Sequence, residues 1–151
     1  MTPEQFLTRL RISVSGKRTI ALSVRDEQAW PHFEITGQPA DTPSVKGYYC
    51  ESGDSFIQVG SSGREEFTGS EEAAEKFVEL IGQILDVLSR HGCLEKRWTT
   101  SRGEVKRSVI DLALKQGRTT YRLGKAPHFW QVGLTLSTKH FLPFESRLEA
   151  Q

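Results

Sequence analysis

Four histidines, two cysteines and a few serine-bearing turns are the residues of this chain whose types allow chemistry beyond packing. His32, His91, His128 and His140 are not paired at i, i+3 or i, i+4 with another ligand type in a zinc spacing, so no metal site is expected. Cys50 and Cys93 lack the C-x-x-C spacing, and two small buried thiols in a reduced, cytoplasmic setting are the expectation. A single bridge between them is the alternative for an exported chain. Gly53-Asp54-Ser55 begins like the Gly-Asp-Ser esterase signature, but it stands where a hairpin turn is expected and no Asp-x-x-His follows. Gly60-Ser61-Ser62-Gly63 is not G-x-S-x-G and does not lie between a strand and a buried helix. Gly16-Lys17-Arg18-Thr19 resembles the end of a phosphate-binding loop, yet Arg11 stands where that loop needs its first glycine, and no G-x-G-x-x-G follows a strand. Of the adjacent carboxylates, Asp26-Glu27 stands in an expected turn, Glu65-Glu66 points to opposite faces of an expected strand, and Glu71-Glu72 sits where a helix start favours anions. No cofactor is expected.

What remains is charge with aromatics set into it. Residues 1–75 carry 7 basic and 12 acidic side chains, whereas residues 76–151 carry 13 basic and 7 acidic, so a near-neutral whole hides two opposed halves. Between Arg90 and Lys125 ten cations face three anions, Glu95, Glu104 and Asp111, which points to an acidic partner. The residues expected to form the binding face are Lys96, Arg97, Trp98, Arg102, Lys106, Arg107, Arg118, Arg122, Lys125 and Trp130, with Tyr121 and Phe129 among or just after them. Arginine, tryptophan and tyrosine are the favoured anchors of protein interfaces. The leading expectation is a non-catalytic cytoplasmic binding protein of adaptor, regulator or inhibitor (immunity) type, with an acidic protein as partner. Nucleic acid on the same face is the alternative, since cations bind phosphates and aromatic rings stack on exposed bases. The sequence pI of about 7.8 weighs against it. A small enzyme built from dispersed residues, with His32 and His128 as acid–base groups, is the second alternative. The plain competing reading is that the cations lie on solvated strands facing the acidic half, while the aromatics are core.

These residues must be positioned by secondary structure that the pattern partly predicts. Thr2 caps a short N-terminal helix, with Pro3 at its first position, Gln5 completing a capping box and Phe6, Leu7 and Leu10 forming the apolar stripe; Ser15-Gly16-Lys17 ends it. Strands are expected at residues 19–24, 33–35, 46–50, 55–59 and 65–68, with the turn Arg25-Asp26-Glu27-Gln28 after the first and a loop at 37–44. Over 71–90, Ala74, Phe77, Ile81, Ile84, Leu85 and Leu88 draw one apolar face; Ser70 caps the helix and Gly92 closes it. A strand follows at 93–100. Residues 104–116 fit a helix, with Ser101 capping, Glu104 three residues on and Gly117 terminating, and also fit a strand through Ile110, Leu112 and Leu114; the helix is favoured. Strands at 118–123 and 129–136 and an irregular tail from Phe141 complete the reading.

Arg18-Thr19 followed by Pro31-His32-Phe33 is echoed by Arg118-Thr119 followed by Pro127-His128-Phe129, which raises a duplication of helix–hairpin units at about 2–37 and 101–136. The 151 residues suit one domain with a core that needs no staple. No apolar run is long enough to span a bilayer, Met1-Thr2-Pro3-Glu4-Gln5 does not read as a secretory signal, and no membrane partner is expected. The expected fold is α+β: a mainly antiparallel sheet of about seven short strands packed on one long central helix, with a short N-terminal helix and the helix at 104–116.

Overall fold

Helix α1 (Pro3–Val14) opens on a reciprocal cap: the Gln5 N–H donates to Thr2 Oγ1 at 3.2 Å, and the Thr2 N–H donates to Gln5 Oε1 at 2.9 Å. The computed structural model describes residues 1–15, 20–25, 30–37, 42–114 and 119–144. After α1 come five strands, β1 (Ile20–Arg25), β2 (His32–Gly37), β3 (Val45–Tyr48), β4 (Asp54–Val59) and β5 (Ser62–Phe67). Helix α2 (Glu71–His91) follows, then β6 (Cys93–Thr99), β7 (Val105–Leu114), β8 (Thr119–Lys125) and β9 (Thr135–Phe141). The strands form two antiparallel sheets, β1-β2-β3-β4-β5 and β8-β7-β6-β9. The fold is α+β, as the sequence pattern requires.

Helix α2 forms as its pattern predicts. Ser70 Oγ accepts the Ala73 N–H at 3.1 Å, Glu71 and Glu72 occupy the first turn, and the stripe from Ala74 to Leu88 is buried. Its 21 residues, at about 1.5 Å each, make it about 31 Å long, and it packs on β5 of the first sheet and β7 of the second. Gly92 ends it at φ +64°, ψ −153°, a conformation open to glycine, and a Cβ there would strike the Phe141 carbonyl. One apolar cluster takes Phe6, Leu7 and Leu10 from α1, the α2 stripe, Ile35, Val45 and Ile57 from the first sheet, and Ile110, Leu112 and Leu123 from the second. Phe6 is its aromatic centre, stacked on Tyr49 at 4.4 Å and close to Phe33 and Phe77.

Three expectations need correction. Residues 104–116 are not a helix: β7 occupies 105–114. Ile110, Leu112 and Leu114 are buried while Asp111 and Ala113 are exposed, so the period of two wins because β7 is central, flanked by β6 and β8. The supposed cap at Ser101 and Glu104 is instead a β6–β7 turn, in which the Gly103 N–H donates to the Thr100 carbonyl and the Thr100 N–H to the Glu104 carbonyl, with Gly103 at φ +83°. Residues 129–134 are not a strand; a turn at 128–131 precedes β9, which begins six residues later than expected. There are nine strands among the described residues rather than seven. Of the two stretches with the shared Pro-His-Phe pattern, the first begins with a helix, α1, whereas the second begins with a turn and β7. His32 lies on β2 and His128 in a turn. The expected turns at 15–17, 25–28 and 37–44, the terminator Gly117, the carboxylates Asp26 and Glu27, and much of the tail lie wholly or partly outside the described residues.

Candidate functional site

The second sheet is held against the first by a buried carboxylate. Glu95, on β6, is 0% exposed; it accepts from the Ser61 N–H (2.9 Å), the Ser62 hydroxyl (2.6 Å) and Arg97 Nε (2.5 Å). Ser62 Oγ also lies 3.0 Å from Ser108 Oγ on β7. Gly60 and Ser61 make a two-residue turn between β4 and β5, with Gly60 at φ +56°, a positive value of the sort such hairpins favour. The Glu95 carboxylate sits about where a Cβ of residue 60 would press on it. At the β5–β8 seam, Arg64 donates to the Arg122 carbonyl (3.2 Å) and lies 4.7 Å over the Tyr121 ring, whose hydroxyl donates to Glu66 (2.7 Å). Burial and the Glu66 carboxylate push the Tyr121 phenol above its ordinary range.

Strand register decides which expected site residues meet. Lys96 and Trp98 lie on the face of β6 away from the core; Trp98 sits opposite Arg107 on β7 and Leu136 on β9. Arg97 points the other way, to Glu95, so its charge is neutralised inside. Lys106 is the extra residue of a bulge, since Trp98 pairs with Arg107 and Thr99 with Val105; its ammonium meets Glu104 at 3.2 Å. Arg122 makes two hydrogen bonds to Asp111, 2.8 and 2.9 Å, which hold the Asp111 carboxyl below its ordinary range. Lys106, Arg107 and Lys125 line one cleft of about 520 Å³ with Gln58 and Ser61. Arg102 is exposed in the β6–β7 turn. Arg118 lies outside the described residues. Among the described residues, Lys96, Arg102, Arg107 and Lys125 form no ion pair.

Topology then gathers aromatics beside these cations. β6 and β8 end, and β7 and β9 begin, at the same end of the second sheet, because all their pairings are antiparallel. The turn carrying Arg102 and the connection from Lys125 to Thr135 are therefore neighbours. In that connection the Gln131 N–H donates to the His128 carbonyl (3.0 Å) and the His128 N–H to Gln131 Oε1 (2.8 Å). This closed turn holds Phe129 93% exposed and Trp130 62% exposed. Trp130 is stacked on His128 at 4.4 Å, with Phe129 edge-on to it at 5.0 Å. Their exposure contradicts the competing reading, in which the aromatics of this stretch are core.

A second feature is invisible in the linear pattern. On the outer face of the first sheet, Trp30, Tyr48 and Phe56 form a ladder at 5.3 and 5.8 Å, with His32 5.6 Å from Tyr48. Tyr48 and Phe56 join Arg25, Glu34, Lys46 and Gln58 around a cleft of about 330 Å³. Only the β2–β3–β4 register, with His32 opposite Tyr48 and Tyr48 opposite Phe56, brings them together. Cross-strand aromatic contacts of this kind stabilise a sheet. Ser55 of the Gly-Asp-Ser run is buried, its hydroxyl accepting the Cys50 N–H (2.8 Å) and 2.5 Å from Thr68 Oγ1. Cys50 and Cys93 are free thiols. Burial, reinforced by Glu95, pushes the Cys93 thiol up to about 12. No helix among the described residues is long and apolar enough to cross a membrane.

No family model matches the sequence, and neither a curated protein nor a solved structure matches it.

Proposed function

We propose that this chain is a non-catalytic binding protein of the adaptor, regulator or inhibitor kind, which receives an acidic protein partner at the loop end of its second sheet. The observation that carries this reading is the closed turn at 128–131, which presents Phe129 and Trp130 to solvent. Nearby are the cations Arg102, Arg107 and Lys125, which have no ion pair among the described residues. Aromatic anchors held in place before binding lose little side-chain freedom on docking, and cations around them speed and orient the encounter with an acidic surface.

The test is affinity capture from native lysate, with and without nuclease. The expected result is one defined acidic protein, retained after nuclease. Phe129→Ala with Trp130→Ala should weaken its capture by more than about tenfold, while changing the stability of the free chain by under about 0.5 kcal/mol. Reversing Arg102, Arg107 and Lys125 to glutamate should abolish capture. Loss of the captured material on nuclease treatment, with binding that collapses steeply with salt, would instead assign the surface to nucleic acid.

A further inference from the structure

The two sheets have four outer edges, and two of them, β5 and β8, close on each other through the Arg64–Arg122 and Tyr121–Glu66 hydrogen bonds; β1 is in contact with α1. β9 is different. It pairs with β6 over seven residues in unbroken register, from Thr135 opposite Thr99 to Phe141 opposite Cys93. Its other edge has no strand beside it among the described residues. The side chains from Thr135 to His140 are exposed on both faces. The strand contains neither proline nor a bulge, two of the devices that normally blunt an edge, but it does contain the third, a lysine.

Charge says which strand that lysine admits. β9 carries Lys139 and His140 and no acidic residue. On β6, Lys96 lies opposite Thr138 and Glu95 lies opposite Lys139. The one carboxylate of β6, Glu95, is buried and bound to Arg97, Ser61 and Ser62. A second copy of β9 would put like charges on one ladder, and like charges on paired strands repel. An acidic strand meets no such barrier and satisfies the free backbone N–H and C=O groups. We propose that β9 is a docking edge for an extended acidic segment of the partner, which joins the second sheet as a fifth strand. This rests on the partner being an acidic protein, and it adds how that protein attaches: by strand addition, next to the connection that carries Phe129 and Trp130.

The probe is a peptide of about eight residues alternating glutamate and valine, a usual strand length, added to the full chain with a lysine–valine peptide as its counterpart. Hydrogen exchange should show new protection at β9 amides on alternate residues with the acidic peptide and none with the basic one. Lys139→Glu should weaken the acidic peptide by about tenfold or more and Lys139→Gln by less, with the melting temperature unchanged in Lys139→Gln. Unprotected β9 amides under saturating acidic peptide, equal binding of both peptides, or concentration-dependent self-pairing through β9 would each overturn the proposal. The two readings fail separately. If Lys139→Glu leaves capture of the lysate partner intact while the Phe129 and Trp130 variants lose it, strand addition falls and docking at the loop end stands. If those aromatic variants retain the partner while the acidic peptide still protects β9, the loop-end reading falls instead.

Discussion

The two sheets use the same antiparallel geometry to different ends. The five-stranded sheet spends one face on the helices, burying Phe33, Ile35, Val45, Ile57 and Val59, and mixes both signs of charge with an aromatic ladder on the other. The four-stranded sheet is covered only in part: β7 and β8 contribute Ile110, Leu112, Leu114 and Leu123 to the core, while β9 contributes nothing fully buried. Stability is concentrated in the first sheet and its helices. The features proposed for recognition lie at the far edge and loop end of the second. If they serve that role, they can vary without endangering the core.

The sharpest way to expose the contrast is to hollow out the first region. Phe6→Ala removes a ring stacked on Tyr49 and packed near Phe33 and Phe77, and it should cost about 3–5 kcal/mol in urea unfolding. No change in the exposed residues of β9 should approach that.

The joint between the regions comes next. Glu95→Ala leaves Arg97 half-buried without its partner and strips the Ser61 N–H and Ser62 hydroxyl of their acceptor, at a cost of about 3 kcal/mol. Adding Arg97→Ala should cost less than the two single effects summed, because the lone charge is gone.

Alkaline titration gives a smaller effect. In the unfolded chain the Cys93 thiol ionises near 9 and the Tyr49 phenol near 10, whereas the fold keeps both protonated up to about 12. For Cys93 the leading cause is burial, with Glu95 adding to it; for Tyr49 it is also burial, reinforced by Glu51. The unfolded chain therefore loses these protons first. This contribution to stability is complete below pH 9 and declines as pH rises towards 12. Urea midpoints measured across that window should fall, and native Cys93 should resist alkylation at pH 9.

The smallest effect is expected at Asp111. Asp111→Asn removes an exposed ion pair that solvent screens and frees the Arg122 charge on the outer face. Stability should barely move, whereas binding of the acidic partner should tighten.

How far the sequence foretells this arrangement differs by element. Helix α2 is legible because its period, its Ser70 cap and its closing Gly92 agree. β7 is not, since residues 105–114 carry both periods and only pairing with β6 and β8 selects the strand. For the site, the kinds of residue are legible and their placement is not. Lys96 and Arg97 look equivalent in the chain, yet a period of two sends one to solvent and the other to a carboxylate. That carboxylate is met by a turn residue, Ser61, 34 residues earlier, a contact no local pattern encodes. Trp130 stands out by type, but its exposure comes from hydrogen bonds between His128 and Gln131.

Just past β9 the chain is pinned at Phe144. Phe144 is fully buried in the common core, and its N–H donates to the Leu88 carbonyl at the end of α2, 3.1 Å away. The bare strand is thus tethered at its far end to the most deeply buried helix. Peeling it off would require drawing a phenyl ring out of the interior, so the open edge should fray no more readily than the core itself. A template that must stay straight while waiting for a visitor is well served by such an anchor.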